Sequence, residues 1–254
     1  MTNFANKKLL EICCFSLKSC KNAELGGADR LELCGGFLEG GTTPSAGLLK
    51  CVVDQVNIPA YVMIRPRGGD FLYNEDEMQV MMADIKLLKE YQPAGFVIGM
   101  LLANGDIDLV GNARLLEAIG DFPVTFHRAF DMCNNPHLAI EQLISLGIDN
   151  ILTSGQFQTA IEAVPNLKEF KQIASNRINI MAGSGVNPTN ILEIAATDVD
   201  AYHFSAKKSF PSEMIFRNSN INMGSKDADE FVNYEAEVEL IRQAKGIIET
   251  LNIK

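Results

Sequence analysis

Eight short apolar runs, each followed by a stretch with helical spacing or a long polar loop, repeat along the whole chain, and this alternation restricts the fold more than any other feature. The runs are Leu9–Cys13, Arg30–Cys34, Ala60–Arg65, Gly95–Gly99, Val124–Arg128, Asn150–Thr153, Asn179–Ala182 and Ala201–Ser205. Helices are expected around Ser19–Gly26 and over Asp76–Tyr91, Ile107–Ile119, Pro136–Leu146, Thr159–Ala174, Pro188–Ala196 and Glu235–Leu251, where apolar residues recur every three to four positions. Gly26 and Gly147 are placed to end two of them, because glycine accepts the left-handed backbone of a helix C-cap. Strands alternating with helices form parallel sheets, and eight strands is the number that closes a (β/α)8 TIM barrel. With 254 residues and 47% apolar content, residues 1–254 suit one such domain, and no linker or composition shift divides them.

The connections are unequal. A few residues, such as Gln92-Pro93 or Gly120-Asp121, lead from helix to strand, whereas Gly35–Ser45, Pro66–Glu75, Phe130–Asn135 and Ala206–Asn233 follow strands and are long and polar. In a barrel of this kind the functional residues sit at the C-terminal mouth, on these long βα loops and the strand ends that feed them.

Alternation along each strand then selects the side chains that point inward at the mouth. Leu10, Ile12, Leu31, Leu33, Val62, Ile64 and Phe126 face outward toward helices. Inward positions read Glu11 and Cys13, Glu32 and Cys34, Arg65 with Arg67 beyond it, Thr125 and His127, and His203 with Ser205. The triplet Glu-x-Cys occurs twice, on strands expected to be neighbours about 4.8 Å apart. Cys13 and Cys34 are therefore candidate ligands for one soft metal ion, with ordinary buried cysteines as the alternative. Glu11, Glu32, Arg65, His127 and His203 are candidate acid, base and anion-holding groups, with an ion pair between Arg65 and Glu11 or Glu32 as the alternative. Gly183-Ser184-Gly185, before Asn187-Pro188, could offer backbone N–H groups to an anion, helped by Arg67 and Ser154, or could simply be a tight turn. His137 lies at a helix start, where solvent is its natural partner.

A formal charge of −10 excludes non-specific binding to nucleic acid or anionic membrane, which needs surplus Lys and Arg. Neither a secretory signal nor a membrane-spanning apolar run is present, so the expected location is the cytoplasm. Six cysteines without secreted-type spacing read there as free thiols or metal ligands.

Five segments then carry a resemblance: Gly40-Gly41-Thr42-Thr43-Pro44-Ser45, Met63 to Phe71, Val124 to Asp131, Ile151-Leu152-Thr153-Ser154-Gly155 and Phe216-Arg217-Asn218-Ser219. Together they resemble the copper homeostasis protein family CutC across nearly the whole chain. The resemblance implies a cytoplasmic TIM barrel, a homo-oligomer, Cu(I) bound at Cys13 and Cys34, and no organic cofactor. Where some members carry a further cysteine, this chain has Phe204. Two thiolates suit Cu(I) in preference to Zn(II), which favours four ligands. The rival reading is a barrel enzyme acting on a small anionic or phosphorylated substrate. A third reading, a scaffold using its helical exterior, has no residue pattern behind it.

Overall fold

The computed structural model describes residues 7–218, 220–221 and 229–253. Eight parallel strands close into a barrel in sequence order: β1 Leu9–Cys14, β2 Arg30–Leu33, β3 Ala60–Met63, β4 Gly95–Ile98, β5 Val124–Phe126, β6 Asn150–Thr153, β7 Asn179–Ala182 and β8 Ala201–Phe204. Around them run α1 Leu17–Gly26, α2 Ala46–Gln55, α3 Glu75–Leu88, α4 Leu109–Ile119, α5 Pro136–Ser145, α6 Val164–Ala174, α7 Ile191–Ile194 and α8 Val238–Leu251. Leu10, Ile12, Leu31, Leu33, Ile64 and Phe126 are fully buried between strands and helices, as alternation requires. Among the described residues, no helix is long and apolar enough to cross a membrane.

Caps fix where the helices start, and hence how the loops enter them. The side chains of Ser16, Ser45, Asp108 and Asn135 accept a backbone N–H in the first turn of their helices, and Asn74 forms a capping box with Glu77. At the end of α1 the left-handed residue is Gly27, not Gly26. Gly26 is the last helical residue, where a Cβ would meet Ile241 of α8 at 2.6 Å.

Three differences from the sequence expectation affect the mouth. β2, β3 and β5 end before Cys34, Arg65 and His127. Cys34 and His127 continue the ladder through single bonds, Cys34 N–H to Cys14 O at 2.9 Å and His127 N–H to Ile98 O at 2.9 Å, whereas Arg65 N–H donates to Thr43 Oγ1 at 3.0 Å. Residues 206–233, expected as one loop, contain β9 Lys207–Pro211, which pairs antiparallel with β10 Val232–Ala236. Ser219, the last residue of the fifth family segment, lies outside the described residues. The helix expected over Pro188–Ala196 is only the single turn α7, continued by a 3-10 turn.

Candidate metal centre

The register of β1 sets the site. Glu11 is opposite Arg30 of β2 on one side and His203 of β8 on the other, and Cys13 is opposite Glu32. Arg30 was missed as a site residue, although it stands two before Glu32 and so shares the inward face with Glu32 and Cys34. The guanidinium pairs with Glu11, lies 4.2 Å from the centre of the Tyr61 ring and reaches Met181 Sδ at 3.7 Å. It makes the ion pair with Glu11 that the sequence offered to Arg65 as an alternative.

His203 is hydrogen-bonded through Nδ1 to Glu11 Oε1 at 2.7 Å, and its Nε2 lies 3.7 Å from Glu32 Oε2. Cys13 and Cys34 bring their Sγ atoms to 3.9 Å, and the Cys34 thiol donates to Glu32 Oε2 at 3.5 Å. Ligand atoms of Cys13, Glu32 and His203 all fall within 4.8 Å of one another. Gly41, at φ +101°, closes over this group, and a Cβ there would lie 3.3 Å from Cys34 Sγ.

Neighbours decide the charges. Burial works against ionised Glu11, but the cations of Arg30 and His203 outweigh it and hold its pKa at about 2. Glu32 is pushed well above the carboxylate range, first by burial and then by Cys13, and its Oε1 has no hydrogen-bond partner among the described residues. Pairing with Cys34 lowers Cys13 to about 5 against the cost of burial, with His203 assisting, and the same pairing raises Cys34. His203 rises despite burial because Glu32, Cys13 and Glu11 surround it. Arg30 and His203 thus favour the ionised form of Glu11, while burial and neighbouring anions disfavour charge on Glu32 and Cys34. Such a balance is what allows charges to persist at this depth.

Arg65 and His127 form a separate group beside this centre. Arg65 donates to the carbonyl oxygens of Glu39, Gly41 and Gly69 at 2.7–2.9 Å and stacks over Phe71, whose ring is 4.9 Å from that of His127. Burial and the Arg65 charge lower His127 to about 3, so the ring is neutral. Its Nδ1 accepts from Ala129 N–H at 3.1 Å, while Nε2 and Arg65 Nε are buried without partners among the described residues.

Of the residues expected to hold an anion, Arg67, the hydroxyls of Ser154 and Ser184 and the N–H of Gly183 are engaged within the protein. Arg67 is held by Glu77, Asp70 and the Leu72 carbonyl, and Ser154 Oγ by Asp131, Arg128 and the Phe157 carbonyl. Gly183 N–H donates to Thr153 O, and Ser184 Oγ to Gln158 O. Gly185, at φ +71°, sits where a Cβ would come 2.9 Å from Thr159 Cβ, so close packing and a tight turn account for the glycine. Outside the site, Cys14 and Cys20 are buried against helices, Cys51 is half-buried on α2, and His137 pairs at the surface with Glu169.

Over the thiols lies an aromatic stack. Phe15, packed against the cluster of Cys34, Tyr61 and Met63, meets the edge of Phe37 at 5.2 Å, and Phe37 stacks on Tyr234 of β10 at 4.7 Å.

Fold and site define a (β/α)8 barrel protein with a buried, charge-balanced centre of two thiols, two carboxylates, an imidazole and a guanidinium at its mouth. The chain belongs to the CutC family, whose model matches residues 8–208. It is 47% identical over 222 residues to the human "Copper homeostasis protein cutC homolog", covering 87% of this chain and 81% of that protein. A CutC family protein of Histophilus somni is 48% identical over 223 residues, covering 87% and 91%. A solved CutC structure from Streptococcus agalactiae superposes with a TM-score of 0.74 at 35% identity, over 78% of this chain and 98% of that one.

Proposed function

We propose that this chain is a copper-homeostasis protein that binds one Cu(I) through Cys13 and Cys34. The observation that carries the reading is a pair of sulfurs 3.9 Å apart, one of them held as thiolate in a buried pocket. Thiolates favour Cu(I) over hard cations. Six free cysteines fit a reducing compartment, here the cytoplasm. The exposed apolar run Met214, Ile215 and Phe216 fits a homo-oligomer. Competition against a chromophoric Cu(I) chelator tests the metal. Cys13→Ser and Cys34→Ser should each weaken binding by at least about 100-fold, roughly 2.7 kcal/mol, while Cys14→Ser and Cys51→Ser leave it unchanged. Parental affinity in both site variants would remove the physical basis of the reading.

One observation favours a second reading, a barrel enzyme acting on a small anion. The buried Nε2 of His127 and Nε of Arg65 are donors with no protein acceptor among the described residues, and buried donors normally have one. A thermal-shift screen of small acids and phosphate esters should then yield a compound whose turnover falls about 10²–10⁴-fold in His127→Asn. Stabilisation without turnover across a broad screen would count against catalysis.

A further inference from the structure

A thiol, a carboxylate and an imidazole from three adjacent strands meet at the mouth: ligand atoms of Cys13 on β1, Glu32 on β2 and His203 on β8 lie within 4.8 Å of one another. Register brings them together. Cys13 is opposite Glu32, and His203 is opposite Glu11, which stands two residues before Cys13 on the same inward face. Cys34 is outside this set, and its thiol donates to Glu32 Oε2 at 3.5 Å.

Two details point to a ligand. Glu32 is 2% exposed, and its Oε1 has no hydrogen-bond partner among the described residues, whereas buried polar atoms normally have one. His203 is also held for the task. Its Nδ1 is hydrogen-bonded to Glu11 Oε1 at 2.7 Å, Glu11 is paired with Arg30, and the other ring nitrogen, Nε2, lies 3.7 Å from Glu32 Oε2. A carboxylate on one imidazole nitrogen is the usual device for presenting the other to a metal.

The donors select the ion. Magnesium and calcium take oxygen ligands, so a sulfur among the three disfavours them. A carboxylate oxygen is in turn a poor donor to soft Cu(I). Zinc accepts sulfur, nitrogen and oxygen alike, and three protein ligands leave a four-coordinate zinc ion one position for water, as in reactive rather than structural zinc sites.

We propose that Cys13 Sγ, a carboxylate oxygen of Glu32 and Nε2 of His203 bind a divalent ion of the zinc type, with Glu11, clamped by Arg30, as the residue that positions His203. The proposal goes beyond the Cu(I) reading and does not rest on it. Because both use Cys13, one ion excludes the other. Cys34 tells them apart, being needed for Cu(I) and dispensable for the divalent ion.

Co(II), a coloured stand-in for zinc, titrated into the full-length reduced protein reads the donor set. The parent should show a sulfur-to-cobalt charge-transfer band and the strong visible bands of four-coordinate cobalt, all displaced by Zn(II). Cys13→Ser should abolish the charge-transfer band. Glu11→Gln should weaken Co(II) binding about 10–100-fold, the range for losing a group that orients a metal ligand, and Glu32→Gln and His203→Ala should each weaken it further. Cys34→Ser should leave cobalt band and affinity unchanged. Absence of the charge-transfer band in the parent, where no variant has to fold, would overturn the site. So would cobalt binding that survives Glu32→Gln and His203→Ala but is lost in Cys34→Ser, since that pattern belongs to the two thiols alone. Should Cys34→Ser hold Cu(I) as tightly as the parent, the copper reading falls, while an unchanged cobalt band in the same variant still supports the divalent site.

Discussion

The same three-residue pattern ends β1 and β2, yet Glu11-Ile12-Cys13 and Glu32-Leu33-Cys34 behave as opposites. In the first, the neighbours lower the pKa of carboxyl and thiol alike; in the second, they raise both. Burial is alike, since both carboxylates are almost wholly enclosed. What differs is the facing residue. Glu11 lies opposite Arg30 and His203, whereas Glu32 lies opposite Cys13 and Tyr61. A motif places a group on an interior face, but sheet register assigns its charge.

The largest effect expected from this contrast is on stability. Glu11→Gln strands the Arg30 charge and should cost about 3 kcal/mol in urea unfolding, toward the low end of such losses because glutamine still accepts a hydrogen bond. Glu32→Gln, at a carboxyl whose ionised form is disfavoured by its surroundings, should stay within about 1 kcal/mol of the parent. The pH dependence separates them further. The folded pKa of Glu11 is depressed from 4.5 to about 2, so its stabilisation is complete above pH 4.5 and is lost as pH falls through that window. That part of the acid slope should vanish in Glu11→Gln and persist in Glu32→Gln. Equal losses in the two variants would break the comparison.

Thiol chemistry should show a smaller difference. At pH 7 iodoacetamide should modify Cys13 at least about tenfold faster than Cys34 in metal-free protein, since the thiolate is the nucleophile. Peptide mass mapping over time reads both sites, and equal rates would refute the assignment of charge. Smallest of all is the effect of Phe204→Cys. Phe204 packs in the outer layer with Ile12, its partner in register, so a sulfur there faces away from the centre. Chelator competition should give an unchanged Cu(I) affinity.

Much of this was legible in the sequence. Period-two alternation identified the barrel and put Glu11, Cys13, Glu32, Cys34 and His203 on its interior, because a helix-covered strand tolerates polar residues on one face only. Arg30 obeys the same rule, but its pairing with Glu11 depends on an inter-strand register that no local pattern records. For that reason the ion pair considered as an alternative for Arg65 belongs instead to Arg30. The β9–β10 hairpin escaped because Lys207–Pro211 is exposed throughout and carries no hydrophobic alternation. The Gly183–Gly185 turn owes its glycine at 185 to Thr159, a contact distant in sequence.

Register also has a redox consequence. Cys13 sits opposite Glu32, two residues short of Cys34, which places the two Cα atoms about 8 Å apart. Disulfides span at most about 7 Å between Cα atoms without backbone movement. The sulfurs meet only because their side chains lean together, and welding them into cystine would mean prying β1 from β2. On the copper reading proposed above, a metal ion would bridge the same gap with the ladder intact. A disulfide between Cys13 and Cys34 is thus resisted by the weave of the sheet itself, which keeps the two sulfurs separate thiols.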